Sequence, residues 1–203
     1  DFEKVRSDSG IHFVQFLREL SIETRKRGVV LSVDNYVPSE YTAHYNRKEQ
    51  GIVADYIIIM GYDEHYVGGG AAGSNASIMF VEDGIANTKE VVPAEKIINA
   101  IPFYTRVWES GPDGLKASTL TMNAQADWVA RAGMTPTWVE EYCQNYVEYQ
   151  VGDTLYQCWL EDMESIRVKL QVMKNQGIKG VASWKLGLET SAVWDVIADY
   201  MTQ

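Results

Sequence analysis

The chain has 203 residues, 46% of them hydrophobic and 23% charged, enough for one domain with an insertion. A formal charge of −10 speaks against nucleic acid as a partner, because phosphate contacts need clustered Lys and Arg. No apolar run approaches the roughly 20 residues of a membrane helix, so no membrane partner is expected.

In chain order, residues 9–27 read as a helix. Ser7, Asp8 or Ser9 caps it, Phe13, Val14, Leu17 and Leu20 share a face, and Gly28 ends it. VVLSV (29–33) reads as a buried strand, 41–54 as helical, and YIIIM (56–60) as a second strand. Residues 77–90 read as a helix and 96–103 as a third strand. The stretch 104–160 breaks this rhythm, with a short helix near 122–132 and two strands, 145–150 and 154–159, around Val151-Gly152-Asp153. That turn sets Cys158 opposite a residue near Tyr146, so a bond to Cys143 is not expected. A helix at 161–176, a strand at 180–184 and a helix at 191–201 complete the chain. Apolar strands alternating with helices indicate a parallel sheet covered by helices. No strand leads into a glycine-rich phosphate loop; GGGAAG (68–73) lacks the spacing.

Polar groups gather just after the strands: Asp34, Asn35 and Tyr36; Tyr62, Asp63 and Glu64; Tyr104 and Arg106; Trp184 and Lys185. The carboxyl ends of parallel strands are where a β/α barrel builds its active site. His12, His44 and His65 are scattered and GxSxG is absent, so neither a zinc site nor a serine nucleophile is expected. What remains is carboxylate acid–base chemistry beside aromatic faces, which suits glycoside hydrolysis. On a strand, Asp1 and Glu3 would face the same side about 7 Å apart. Two carboxylates that close favour one staying protonated, as a proton donor at neutral pH must.

Asp1-Phe2-Glu3 with Met60-Gly61-Tyr62-Asp63 resembles glycoside hydrolase family 18, the chitinase-like barrels. The first matches the closing D-x-E of the family's DxxDxDxE motif on its fourth strand, the second the complete MxYD of its sixth. PFYTR (102–106) and SWKLG (183–187) look like its seventh and eighth strand ends. MGYDEHY, VPAEKIINAIPFYTRVW and CWLED are similar to bacterial spore and cell-wall enzymes of the family. The resemblance implies retaining, substrate-assisted cleavage of β-linked N-acetylglucosamine polymers, chitin or peptidoglycan, without metal or cofactor. Glu3 would protonate the leaving oxygen and Asp1 orient the acetamido group. Tyr62 would hydrogen-bond that group's carbonyl, with Asp63 beside it and Trp184 as the stacking floor. Met60, Tyr104, Arg106 and Asn35 would add substrate contacts; Glu64 and His65 are left open between site and loop structure. A non-catalytic carbohydrate-binding protein on the same scaffold is the alternative.

The same resemblance implies a (β/α)8 TIM-barrel fold, of which residues 1–203 would be the carboxyl-terminal part. Eight strand–helix units need about 240 residues, and about 150 remain here once 104–160 is set aside as the family's small α+β insertion. The chain is therefore expected to hold the fourth to eighth strands. A missing amino-terminal half, or a second chain, would cover the exposed sheet edges. An extracellular, cell-wall or spore location is implied by the resemblance alone.

Overall fold

The computed structural model describes residues 1–178 and 180–202. It divides into two compact units: Asp1–Gly61 with Glu82–Ala100 and Met173–Ala182, and Tyr62–Val81 with Ile101–Val172 and Ser183 onward.

The first unit opens without a strand. Residues 1–6 are irregular, against the expectation of an extended Asp1–Glu3. They are nonetheless anchored: the Phe2 ring packs on Phe13 and Phe16 at 5.8 and 5.4 Å. The Val5 N–H donates to the Tyr45 hydroxyl (3.1 Å), and Val5 C=O meets His44 Nε2 (2.7 Å). Helix α1 (Gly10–Lys26) buries Phe13, Val14, Leu17 and Ser21 on one face. Its first residue is Gly10, where a Cβ would lie 2.4 Å from the His44 carbonyl oxygen, so only glycine fits there. Strand β1 is Ser32–Tyr36, three residues later than its apolar content suggests. Val29 and Val30 are exposed, and the ladder begins at Ser32↔Tyr56. A polar strand survives inside because Asn35 is paired there, as shown below.

Helix α2 (Arg47–Val53) follows a 3₁₀ turn, capped by Asn46. Strands β2 (Tyr56–Met60) and β3 (Ile97–Pro102) pair in parallel, as do β1 and β2. With β9 (Gly180–Trp184) they form a four-stranded sheet in the order β1-β2-β3-β9. Helix α3 (Ile78–Lys89) lies between β2 and β3 in sequence. After β2, the Gly61 N–H donates to Ala100 C=O at 3.1 Å. A Cβ on Gly61 would sit 2.8 Å from both that oxygen and Asn99 Oδ1, the first of them backbone. Gly61→Ala is therefore expected to cost about 1–3 kcal/mol, the usual penalty of overpacking, in chemical denaturation.

The second unit is built on a five-stranded antiparallel sheet in the order β5-β4-β8-β7-β6. Its strands are β4 (Tyr104–Gly111), β5 (Gly114–Thr121), β6 (Thr137–Val139), β7 (Gln144–Val151) and β8 (Thr154–Trp159). Only β7 and β8 were legible. Helix α4 (Met122–Ala132) carries Trp128 and Val129 onto a core of Val107, Val147, Cys158 and Leu160. Helix α5 (Met163–Asn175) contributes up to Val172, and α6 (Val193–Met201) buries Val193, Val196 and Ile197. Cys158 faces Val147, and both cysteines are free.

Candidate active site

Asp1, Glu3, Asn35 and Met60 belong to the first unit; Tyr62, Asp63, Tyr104, Arg106 and Trp184 belong to the second. In the first, Asp1 and Glu3 are exposed. Glu3 Oε2 accepts a hydrogen bond from the Tyr36 hydroxyl at 3.0 Å, at the carboxyl end of β1. Burial, then the bond to Glu3, pushes the Tyr36 hydroxyl up to about 12, so it stays a donor at neutral pH. Tyr36 was visible in the sequence only as one polar strand end among several.

Asn35 sits differently from the expectation of a substrate contact. It is fully buried, and its amide exchanges two hydrogen bonds with Gln50, at 2.7 and 3.2 Å. That pairing satisfies a polar group inside the core and gives Asn35 a packing role. Met60 is also buried, at 8% exposure.

In the second unit, three predicted residues converge. Asp63 Oδ1 accepts from the Tyr104 hydroxyl at 2.6 Å and from Arg106 Nη2 at 2.5 Å. The Tyr62 ring stands edge-on to Tyr104, centroids 6.3 Å apart. Tyr104 and Arg106 lie two residues apart on β4, so both side chains leave the same face and reach one carboxylate. Burial first, then Asp63, raises the Tyr104 hydroxyl well above the ordinary phenol range. Asp63 itself has φ +60°, a left-handed conformation that an L-residue holds only when its surroundings fix it. Arg106 is largely covered while Asp63 is 44% exposed, so the group presents one oriented carboxylate to solvent. Trp184 is 48% exposed at the end of β9, its carbonyl accepting from the Phe103 N–H at 2.9 Å.

Glu64 and His65 hold the loop. The Glu64 carboxylate accepts from the Ser77 N–H (2.7 Å) and hydroxyl (3.0 Å), and that hydroxyl also accepts from the Phe80 N–H at the start of α3. The His65 carbonyl accepts from Arg106 Nε at 3.2 Å. Among the described residues, no group of three or more His, Cys, Asp and Glu could hold a metal ion.

Residues 1–189 match the profile of Glycosyl hydrolases family 18. The chain is 28% identical over 197 residues to a Bacillus subtilis protein provisionally named sporulation-specific glycosylase YdhD, covering 93% of this chain and 46% of that one. It is 24% identical to the cortical fragment-lytic enzyme of Bacillus anthracis, covering 100% of this chain and 49% of that protein. The chitinase of Chromobacterium violaceum superimposes with a TM-score of 0.91 at 26% identity, over 100% of this chain and 65% of the other. The chain spans about half the length of the curated relatives it matches. Its parallel and antiparallel sheets carry the chitinase-like α/β fold, and with a family match that runs over nearly its whole length the chain belongs to glycosyl hydrolase family 18.

Proposed function

We propose that the chain is the carboxyl-terminal part of a retaining hydrolase acting on β-linked N-acetylglucosamine polymers, with β1, β2, β3 and β9 as the fifth to eighth strands of its barrel. The observation that carries this reading is the Asp63 carboxylate, gripped by Tyr104 and Arg106 beside Tyr62 and left open on one side. An oriented acceptor next to a tyrosine hydroxyl suits an acetamido group, which offers one N–H and one carbonyl.

In the proposed reaction Glu3 donates its proton to the glycosidic oxygen as the bond to the anomeric carbon breaks. The acetamido oxygen of the same sugar attacks that carbon and gives an oxazolinium ion, balanced by Asp1. Tyr62 hydrogen-bonds the acetamido oxygen, Asp63 contacts the sugar, and Trp184 stacks on its apolar face. Glu3, now a carboxylate, takes a proton from the water that opens the ring, which restores both the acid and the retained configuration. The relatives' names, cortical fragment-lytic and sporulation-specific, support the spore as the setting, with chitin or peptidoglycan as the polymer.

The test is reducing-end release from N-acetylglucosamine oligomers beside de-N-acetylated glucosamine oligomers of the same length. Turnover is expected only where the 2-acetamido group is present, since it is the nucleophile. Equal turnover of both polymers would sink substrate assistance.

A further inference from the structure

Behind the Asp63 group runs a file of buried polar side chains. Lys169 Nζ donates to both oxygens of Glu161 at 3.1 and 2.9 Å, and neither side chain is more than 1% exposed. Glu161 Oε1 also accepts from Gln144 Nε2 at 2.7 Å, and Gln144 Oε1 accepts from the Ser74 hydroxyl at 2.5 Å. Gln144 and Ser74 are both fully buried. The direction of the Gln144 amide is forced, since its NH2 must face the carboxylate and the Leu160 carbonyl.

The file continues into the loop. The Ser74 carbonyl lies 2.9 Å from His65 Nδ1, which must carry the hydrogen because a carbonyl can only accept. The His65 carbonyl then accepts from Arg106 Nε, whose other arm holds Asp63. Gly73 lets the imidazole lie against the backbone: a Cβ there would fall 2.5 Å from three of its ring atoms. Trp108, fully buried, pins the same turn through Nε1 to the Gly73 carbonyl at 2.8 Å.

We propose that Gln144, Ser74 and His65 are positioning residues that carry the fixed place of the Lys169–Glu161 pair to the Asp63 carboxylate, and so set the affinity of the site for N-acetylglucosamine units. The proposal rests on the reading of Asp63 as a sugar contact. A buried ion pair is a firm anchor, because moving one charge off its partner leaves the other uncompensated. Asp63 needs such an anchor, since its backbone conformation holds only when the surroundings impose it.

The test is a double-mutant cycle on the intact chain, titrating a linear tetramer of N-acetylglucosamine by calorimetry. Ser74→Ala is expected to weaken binding about three- to tenfold, the worth of one buried hydrogen bond. In an Asp63→Ala background the same substitution is expected to change nothing further, which a merely structural role would not produce. The same loss in both backgrounds, or no loss in either, overturns the proposal. If Ser74→Ala does not fold by circular dichroism, Gln144→Met replaces it in the same cycle and is judged the same way. A wild-type chain that fails to bind the tetramer overturns the sugar-contact reading itself, and this proposal with it, which keeps the two failures distinct.

Discussion

Lys169→Met is expected to cost about 3–5 kcal/mol of folding stability at pH 8, because it strands a fully buried carboxylate without its counter-charge. Glu161 is 1% exposed, and its oxygens are held by Lys169, Gln144 and Ser165. Burial already pushes its pKa up to about 7, and the adjacent Lys169 charge is what opposes that rise. With the ammonium gone, the folded-state pKa climbs further while the unfolded value stays near that of a free carboxyl.

A folded pKa above the unfolded one means that the folded state holds the proton more tightly. The contribution of Glu161 is then complete below the unfolded pKa and is lost as pH rises through the folded one. In the variant, without the opposing Lys169 charge, that loss continues to a higher pH than in the wild type. The gap between the two proteins should therefore widen from pH 5 to pH 8 in urea denaturation. An equal gap at both would show that Glu161 is not the group left unpaired. Lys169→Met combined with Glu161→Leu should recover most of the loss, because two apolar side chains need no partner.

The helices and the central strands were legible because each buries one continuous apolar face. YIIIM and the Phe13–Leu17 stripe leave little choice of period. β1 lies three residues later than its hydropathy predicts, for the converse reason: Val29 and Val30 look like strand but are exposed, while polar Asn35 is buried against Gln50. Pairing, not hydropathy, sets where that strand lies. β4 and β5 were missed because Val107 and Trp108 are both buried on opposite faces of β4, while β5 lies mostly at the surface, so neither shows a clean alternation.

The Asp63 group was legible as residue types at strand ends, and the structure brings Asp63, Tyr104 and Arg106 together. What the sequence could not show was the support beneath it. Ser74, Gln144 and Glu161 lie up to 87 residues apart, and nothing in their local patterns marks them as neighbours. Asp1 and Glu3 were expected on a strand; the first six residues instead hang on Phe2, Val5 and the Tyr36 hydroxyl.

Under the proposed reaction, with Glu3 as the acid, Glu3→Gln is expected to lower kcat on N-acetylglucosamine oligomers by about 10²–10⁴, with KM little changed. The substitution keeps shape and keeps an acceptor for the Tyr36 hydroxyl, 3.0 Å away in the wild type. Burial, the larger cause of the Tyr36 hydroxyl's raised pKa, is untouched by the substitution, so that hydroxyl stays a donor at neutral pH and the side chain keeps its partner. What the amide cannot do is give a proton to the leaving oxygen or take one from water. A fall confined to kcat therefore isolates proton transfer from binding. Turnover in Glu3→Gln within about tenfold of wild type would assign the acid to another carboxylate. Unchanged affinity for the tetramer in a variant without turnover would separate the two roles: Asp63, Tyr104 and Arg106 grip the sugar, and Glu3 supplies the proton.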